Sequence, residues 1–568
     1  MKTICERSVA GKIWRAADRP VDNDLVDAIL LRRGVLPAEK ESFMNPTLRE
    51  LMPDPLCLAG MEAAAKITAA AVRAKNKIAI FGDYDVDGIT SVAILAKYFR
   101  QIGVDIIWHL PDREQEGYGL NADAVREFAA ADAKLLITVD CGIGACAEVA
   151  LAKELGMSVV ITDHHEPTLN CPAADAIVNP KQSVCGSGLN YLAGVGVAFM
   201  FLIALNRELG HPVADLLQFL DLVALGTICD TMPLIGLNRA FAAAGLRVLA
   251  QQKNTGLRAL ANIAGIKKFD AYTAGFVLGP RLNAAGRITD ANIALDLILT
   301  DNIILADDLA KKIDDMNAQR QAIQNKIMTD ADEMARAQSD SGAFALWVAG
   351  DEWHGGVMGI VAGRLKEKHN LPCCVATKNG GVISGSGRSI GEVDLGKIIT
   401  DAVAAGILTA GGGHKAAAGF ELSAENSDRF GAFLNEAVAA QLDGARPTAV
   451  LDIDLEMDAG GADWDLAENL ARMAPFGIGN PEPILCLSGG LWTFCKTMGT
   501  GAHITGTLKT SRGTLPCVGF NMTDSEIGRF LLNEANFGAR IRVVGKLKEN
   551  EYMGRQNVQL FLEDIAIN

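Results

Sequence analysis

Several things are missing from this sequence of 568 residues, and each absence excludes a class of protein. No apolar run approaches the roughly 20 residues that cross a bilayer. The opening stretch from Met1 to Trp14 has no apolar segment of signal-peptide length, so the chain is expected to act in the cytoplasm with no membrane partner. No Gly-rich loop ending in Gly-Lys-Ser/Thr is present, which leaves ATP-driven action without support. The twelve cysteines include the adjacent Cys373 and Cys374 but no Cys-x-x-Cys pair at zinc-site spacing, so they read as reduced, buried thiols. Internal repeats and low-complexity tracts are absent, and aromatics are only 6%. Positive charge is also short: 53 Lys and Arg stand against 68 Asp and Glu, a net charge of −15. That argues against a broadly basic nucleic-acid binder, although such a protein needs positive potential only along its substrate track. Bound divalent cations would add local charge that the count omits.

What is present suits a multidomain α/β protein. Hydrophobic residues reach 49%, enough for several cores, and 58 glycines permit many tight strand-to-helix turns. Apolar runs at 77–82, 104–110, 134–139 and 157–162 alternate with helical patterns near 88–101, 121–132 and 144–155. That spacing predicts βαβ units and a parallel sheet. Residues 193–300 read as mainly helical. Residues 304–338 lack Gly and Pro and carry an apolar stripe through Leu309, Ile313, Met316, Ile323, Ile327 and Met334, which predicts one long helix. The expected organisation is a helical lead-in (1–60), a first α/β domain (61–303), a connecting helix (304–340), a smaller α/β domain (341–445) and a β-barrel (446–568).

The chemistry-bearing residues fall where the predicted strands end. GDYDVDG (82–88), VDCG (139–142) and TDHHEP (162–167) each follow an apolar run. Active sites of open parallel sheets lie beyond the carboxyl ends of the strands. Asp85, Asp87, Asp140, Asp163, His164 and His165 are therefore expected at one crevice, with Asp230 as a further candidate. Any one Asp after a strand is commonly just a helix N-cap, and Asp87 before Gly88 could be only a turn. Adjacent histidines directly after an Asp are less ordinary. Several carboxylates gathered in a partly dry site need a cation. Oxygen ligands with an imidazole suit Mn²⁺ or Mg²⁺. Two such ions sharing Asp140 would support phosphoester hydrolysis.

These residues are recognisable as a set. TDHHEP resembles the Asp-His-His signature of the DHH superfamily, and GDYDVDG and VDCG resemble its other metal motifs. GPRLNAAGR (279–287), WHGGVMGIVAGRL (353–365), SGSGRS (384–389), GGGHKAAAGF (411–420) and MAPFGIGNPEP (473–483) extend the likeness to the RecJ family of exonucleases over almost the whole chain. The resemblance implies a parallel-sheet DHH domain joined by the long helix to a smaller α/β DHHA1 domain, followed by an OB-like barrel. It implies Asp85, Asp87, Asp140, His164 and Asp230 as metal ligands for two cations, Mn or Mg. His165 would orient a ligand or touch the scissile phosphate, and Asp163 would hold a histidine. Related pyrophosphatases carry a His where this chain has Phe81, so one metal has fewer protein ligands unless Asp83 compensates.

In the second domain, the Gly-rich turn with Gly412 and Gly413 would cradle a phosphate. His414 and Arg388 would contact the substrate, with His354 and Arg364 as weaker candidates. Arg281 and Arg287 would reach the substrate from the first domain, and Arg113 and Tyr118 would hold backbone and base. In the barrel, Lys509, Arg540, Arg542, Lys546, Lys548 and Arg555 make a basic surface, with Trp492, Phe494 and Tyr552 as aromatic candidates.

The function this implies is a single-stranded-DNA exonuclease working 5′ to 3′, releasing 5′-mononucleotides in recombination and repair. It would be monomeric, with a single-strand-binding protein and a helicase as partners. Two alternatives stand beside it: a phosphodiesterase for short oligonucleotides or cyclic dinucleotides, and a non-catalytic DNA-binding scaffold.

Overall fold

The computed structural model describes residues 1–16, 24–113, 115–167, 170–552 and 555–567, with side chains undescribed at 213–215, 551, 552 and 555. Tyr552 and Arg555 therefore lie outside the described side chains. The chain forms two compact bodies. One comprises residues 51–447 with 477–479; the other comprises 1–50, 448–476 and 480–568.

In the first body, an apolar run followed by a helix recurs three times, and a fourth run follows. Strands β1 (Lys77–Gly82), β2 (Ile106–His109), β3 (Ala133–Val139), β4 (Ser158–Thr162) and β5 (Ala176–Val178) pair in the order β2-β1-β3-β4-β5, all parallel. Helices α1 (Val86–Gln101), α2 (Ala122–Ala130) and α3 (Cys146–Glu154) connect the first four. The sheet is buried on both faces, as parallel sheets require: Ile78, Ile80, Leu136, Ile137, Val159 and Val160 are sealed from solvent. Helices α4 (Gly194–Leu209) and α5 (Leu220–Cys229) follow, then α6 (Gly279–Ile288).

Helix α7 (Ile303–Asp340) runs 38 residues without a break and buries Ile313, Met316, Ile327, Ala331 and Ala335. It leads into β6 (Leu346–Asp351), α8 (Met358–His369), β7 (Cys373–Asn379), β8 (Val382–Arg388), α9 (Leu395–Ala404), β9 (Ala410–His414) and β10 (Ala417–Ser423). Here the sheet order is β9-β10-β8-β7-β6, with only β6 and β7 parallel. The Gly412–Gly413 stretch, expected as a turn, is part of the edge strand β9. Its pairing partner β10 lies just downstream, so the hairpin tip falls at Lys415 and Ala416.

The expected helical lead-in holds for Leu25–Arg32, Lys40–Met44 and Leu48–Leu51 but not for the first sixteen residues. Lys2–Cys5 and Ile13–Ala16 are strands, and the latter pairs parallel with Val450–Ile453. The partner lies more than 400 residues away, so no local pattern announces the pairing. Trp14 is fully buried, and its indole donates to the buried Asp564 at 2.9 Å. Beyond it, strands Leu455–Asp458, Leu485–Met498, His503–Thr510, Gly513–Gly519, Arg555–Ile567 and Arg540–Tyr552 form a sheet in that order. It closes through the pairing of 485–498 with 540–552, giving the barrel of an OB-like domain.

Candidate metal centre

The carboxyl ends of β1, β3 and β4 and the C-terminus of α5 deliver four acidic segments to one place. Asp83 and Asp85 follow β1, Asp87 sits in the first turn of α1, Asp140 follows β3, and Asp230 ends α5. The Asp85 carboxylate caps α1, with Oδ1 accepting from the amides of Asp87 (2.9 Å) and Gly88 (3.2 Å). The N-cap role and a ligand role are thus compatible, since the second oxygen stays free. Asp87 is gripped by the N-terminus of α4, with Gly194 N donating to Oδ2 at 2.6 Å and Val195 N to Oδ1 at 2.9 Å. Asn283 of α6 accepts from Val86 N at 3.2 Å and so ties the GPRLNAAGR segment to the metal loop.

His164 decides what the cluster is for. Its Nδ1 lies 3.0 Å from the Leu192 carbonyl, an acceptor, so Nδ1 carries the proton and Nε2 presents a lone pair. Nε2 faces three carboxylate oxygens: Asp140 Oδ1 at 3.0 Å, Asp230 Oδ2 at 3.6 Å and Asp87 Oδ2 at 3.7 Å. His164 Nε2, Asp140 Oδ1, Asp230 Oδ2 and Asp83 Oδ1 are all buried without a hydrogen-bond partner. Lone pairs aimed at one another in a dry site repel unless a cation stands among them. Among the described residues, three sets of ligand atoms are close enough to share an ion: Asp87 with His164 and Asp230, Asp83 with Asp85 and Asp140, and Asp140 with His164 and His165. Asp140 belongs to the last two of these. The donor set, oxygen-rich with one imidazole, fits Mn²⁺ or Mg²⁺.

The electrostatics agree. Burial first, then the charge of Asp85, pushes Asp87 up to about 7. Asp140, Asp230 and Asp83 stand well above the ordinary carboxylate range for the same two reasons, burial and neighbouring carboxylates. Burial drives His164 down to about 3, so it is a neutral ligand at any working pH.

Around the cluster, Asp163 is spent on structure. Its Oδ2 accepts from Ile143 N at 2.9 Å, and its Oδ1 accepts from the amides of His164 and His165 and from His165 Nδ1 at 2.8 Å. Burial would raise its pKa, but the hydrogen bonds and charge of His165 outweigh that and hold it low. The His165 ring is thus oriented by Asp163 and packs edge-on against His164 and Tyr118. Tyr118 reaches His165 Nδ1 at 3.1 Å. Phe81 is sealed in the core and stacks on His109, so it offers nothing to an ion.

Three guanidinium groups gather nearby. Arg113 lies over the Tyr84 ring. Arg287 donates to the Gly356 carbonyl at 2.7 Å, and Arg388 donates to the Gly387 carbonyl at 2.8 Å. Burial, then the Arg113 charge, lowers Arg287 to about 10 and lowers Arg388 as well. Among the described residues, none of the three has a carboxylate within ion-pair distance. His414 is exposed at the end of β9. Partial burial, then the charges of Arg388, Lys181 and His165, lower its pKa. Arg281 is paired with Asp314 at 2.8 Å, Arg364 is exposed on α8, and His354 accepts from Gly356 N as a turn cap, beside the carbonyl that Arg287 binds. In the barrel, Trp492 is core, with its indole donating to Leu531 O. Arg542, Lys546 and Lys548 have protein partners, while Lys509, Arg540 and Phe494 are exposed.

Sequence reasoning missed the Leu192 carbonyl, the Gly194 amide, Asn179 and Lys181. The first two are backbone groups in LAGVGVAF (192–199), which has no polar side chain to betray them. Asn179 and Lys181 follow β5, a three-residue strand too short to read locally.

A parallel sheet with carboxylates and a histidine at its strand ends, followed by a second α/β domain on a long helix, defines a metal-dependent phosphoesterase of the DHH class. The sequence matches the DHH family N-terminal domain over residues 77–227, the DHHA1 domain over 340–440 and the RecJ OB domain over 453–564. It is 36% identical to the single-stranded-DNA-specific exonuclease RecJ of Bacillus subtilis over 96% of this chain and 68% of that protein. It is 32% identical to the protein of that name from Escherichia coli over 98% of each. The crystal structure of RecJ in complex with Mn²⁺ from Thermus thermophilus superposes with a TM-score of 0.81 at 30% identity, covering 97% of this chain and 79% of that one. The chain belongs to the RecJ family of exonucleases.

Proposed function

We infer that this chain is a metal-dependent exonuclease that hydrolyses single-stranded DNA from its 5′ end to 5′-mononucleotides, in recombination and repair. The observation that carries the reading is the His164 lone pair, fixed by the Leu192 carbonyl and aimed at three buried carboxylate oxygens. Relatives of nearly full-length similarity are single-stranded-DNA-specific exonucleases, and the Thermus thermophilus structures contain Mn²⁺ or Mg²⁺. His164, Asp87 and Asp230 would hold one ion, Asp83 and Asp85 the other, and Asp140 both. Bound there, the ions supply an ionised water and neutralise phosphate charge. Asp163 fixes the His165 ring so that its free Nε2 can meet the scissile phosphate, and Tyr118 closes over that ring. Arg388, Arg287 and His414 balance charge on the phosphates entering between the two α/β domains. A single strand passes there and a duplex is excluded. The chain works in the cytoplasm, supplied with single strands by a helicase and a single-strand-binding protein.

The test uses DNA labelled at either end, as a single strand and as a duplex, plus a dinucleotide and a cyclic dinucleotide, with Mn²⁺, Mg²⁺ or chelator. Metal-dependent release of mononucleotides from the 5′ end of the single strand is expected. Turnover of the dinucleotides alone, or of nothing, would overturn the reading.

A further inference from the structure

Lys181 is a cation at the metal centre to which the activity above gives no role. Its backbone is locked to the histidine loop through Asn179, which is fully buried. Asn179 Oδ1 accepts from Lys181 N at 2.8 Å, and its Nδ2 donates to the His165 carbonyl at 2.9 Å. The Lys181 side chain is 23% exposed and meets Glu166, 77% exposed, at 3.2 Å. Among the described residues, Glu166 is the one carboxylate within ion-pair distance of it. The ammonium charge is felt by Asp230, His164 and His414. Through Asn179 and Glu166 it is tied to the loop that carries His164 and His165.

We propose that Lys181 is a phosphate-binding residue of the substrate track, and that Glu166 holds its ammonium in the place a DNA phosphate takes. The inference rests on the nuclease reading. An ion pair this exposed on the Glu side adds little to folding, so stability does not account for a half-buried lysine pinned beside two metal ligands. An ammonium is a compact charge with three rotatable donors, suited to a phosphate oxygen without regard to base. Exchanging a solvated carboxylate for a phosphate costs the lysine nothing, and the strand releases counterions as it binds. Glu166, left unpaired, points to water.

The experiment measures steady-state cleavage of a 3′-labelled oligothymidylate with Mn²⁺ at several salt concentrations. Wild type is compared with Lys181→Met, Lys181→Arg, Glu166→Gln and the Lys181→Met/Glu166→Gln double variant. For Lys181→Met, KM should rise roughly 3- to 10-fold with kcat nearly unchanged, and the dependence of log KM on log salt should become shallower by about 0.7, one phosphate's share on a single strand. Lys181→Arg should recover most of the loss. Glu166→Gln should lower KM by about 2- to 3-fold, and only while Lys181 is present. Unchanged KM and salt slope in Lys181→Met would overturn the proposal. So would a loss confined to kcat or to melting temperature that arginine does not restore, or a KM that rises in Glu166→Gln. A wild-type protein that leaves the strand uncut would instead remove the nuclease reading, and this inference with it.

Discussion

Gly194→Ala tests the centre through a residue that has no side chain. A Cβ there would lie 2.5 Å from Asp140 Oδ1 and 2.7 and 2.8 Å from its Cβ and Cγ. Ordinary carbon contacts begin near 3.5 Å, so something must shift by about 0.7 to 1 Å. Asp140 has little freedom, because it is buried and held at φ 59°, a region costly for a non-glycine residue. Helix α4 has little either, because its first turn is sealed and its first two amides grip Asp87. Overpacking of this kind costs about 1–3 kcal/mol, which outweighs the helix-propensity gain of at most about 1 kcal/mol. Either way one of the two carboxylates proposed as metal ligands leaves its place. Mn²⁺ affinity should fall about 10- to 100-fold, as when groups that orient metal ligands are lost, and kcat by about 100-fold. Calorimetric Mn²⁺ titration, initial rates and melting temperature measure all three effects. Gly196→Ala is the control: its Cβ would meet nothing closer than 3.5 Å, so it should bind metal and cut DNA normally. Wild-type Mn²⁺ affinity and rate in Gly194→Ala would refute the geometry.

Asp140→Ala should abolish cleavage while circular dichroism stays native, because it removes a charge that its neighbours oppose; retained activity would end its role as the shared ligand. The raised carboxylates make metal-free stability depend on pH. Asp87 keeps its proton up to about 7 when folded but to about 4 when unfolded. Its contribution is therefore fully present below pH 4 and lost as pH rises through about 7. Relative to Asp87→Asn, the chelated wild type should melt progressively lower across that window, Mn²⁺ should recover the loss, and a flat difference would contradict the assignment. Asp163→Asn should leave KM near normal and lower kcat about 10- to 100-fold by releasing the His165 ring, a split that single-turnover rates would check. Arg388→Ala should do the reverse, raising KM with a shallower salt slope.

Much of the first body was legible because its information is local. The runs at 77–82 and 134–139 end where β1 and β3 end, and a Gly-free, Pro-free amphipathic stretch became a helix of 38 residues. The candidate ligands were legible for the same reason, as strand-end residues on one rim of a parallel sheet. What stayed hidden depends on partners remote in sequence or on backbone atoms. The strand at Ile13–Ala16 is held between Lys2–Cys5 and the remote Val450–Ile453. Gly412 and Gly413 looked like a turn because glycine runs usually are, yet β10 draws them into an edge strand, where Gly413 leaves room for the backbone of Ala417 and Ala418. The tautomer of His164, the most informative feature of the site, is set by a leucine carbonyl that no side-chain pattern marks.

A net charge of −15 on an enzyme for a polyanion is a contradiction only if the charge is averaged over the chain. Asp83, Asp85, Asp87, Asp140 and Asp230 bring five negative charges to the centre, and two divalent ions return four positive ones. The loaded centre is still short of neutral before a phosphodiester adds its own charge. Ions held there would neutralise one phosphate at contact range, which leaves recruitment of the strand to the protein's own cations. Arg113, Arg287 and Arg388 meet that need: they crowd one another enough that burial and mutual repulsion depress two of them, and no described carboxylate pairs with any of the three. Such a cluster works against folding, which supports the proposed role of the three as phosphate-binding groups.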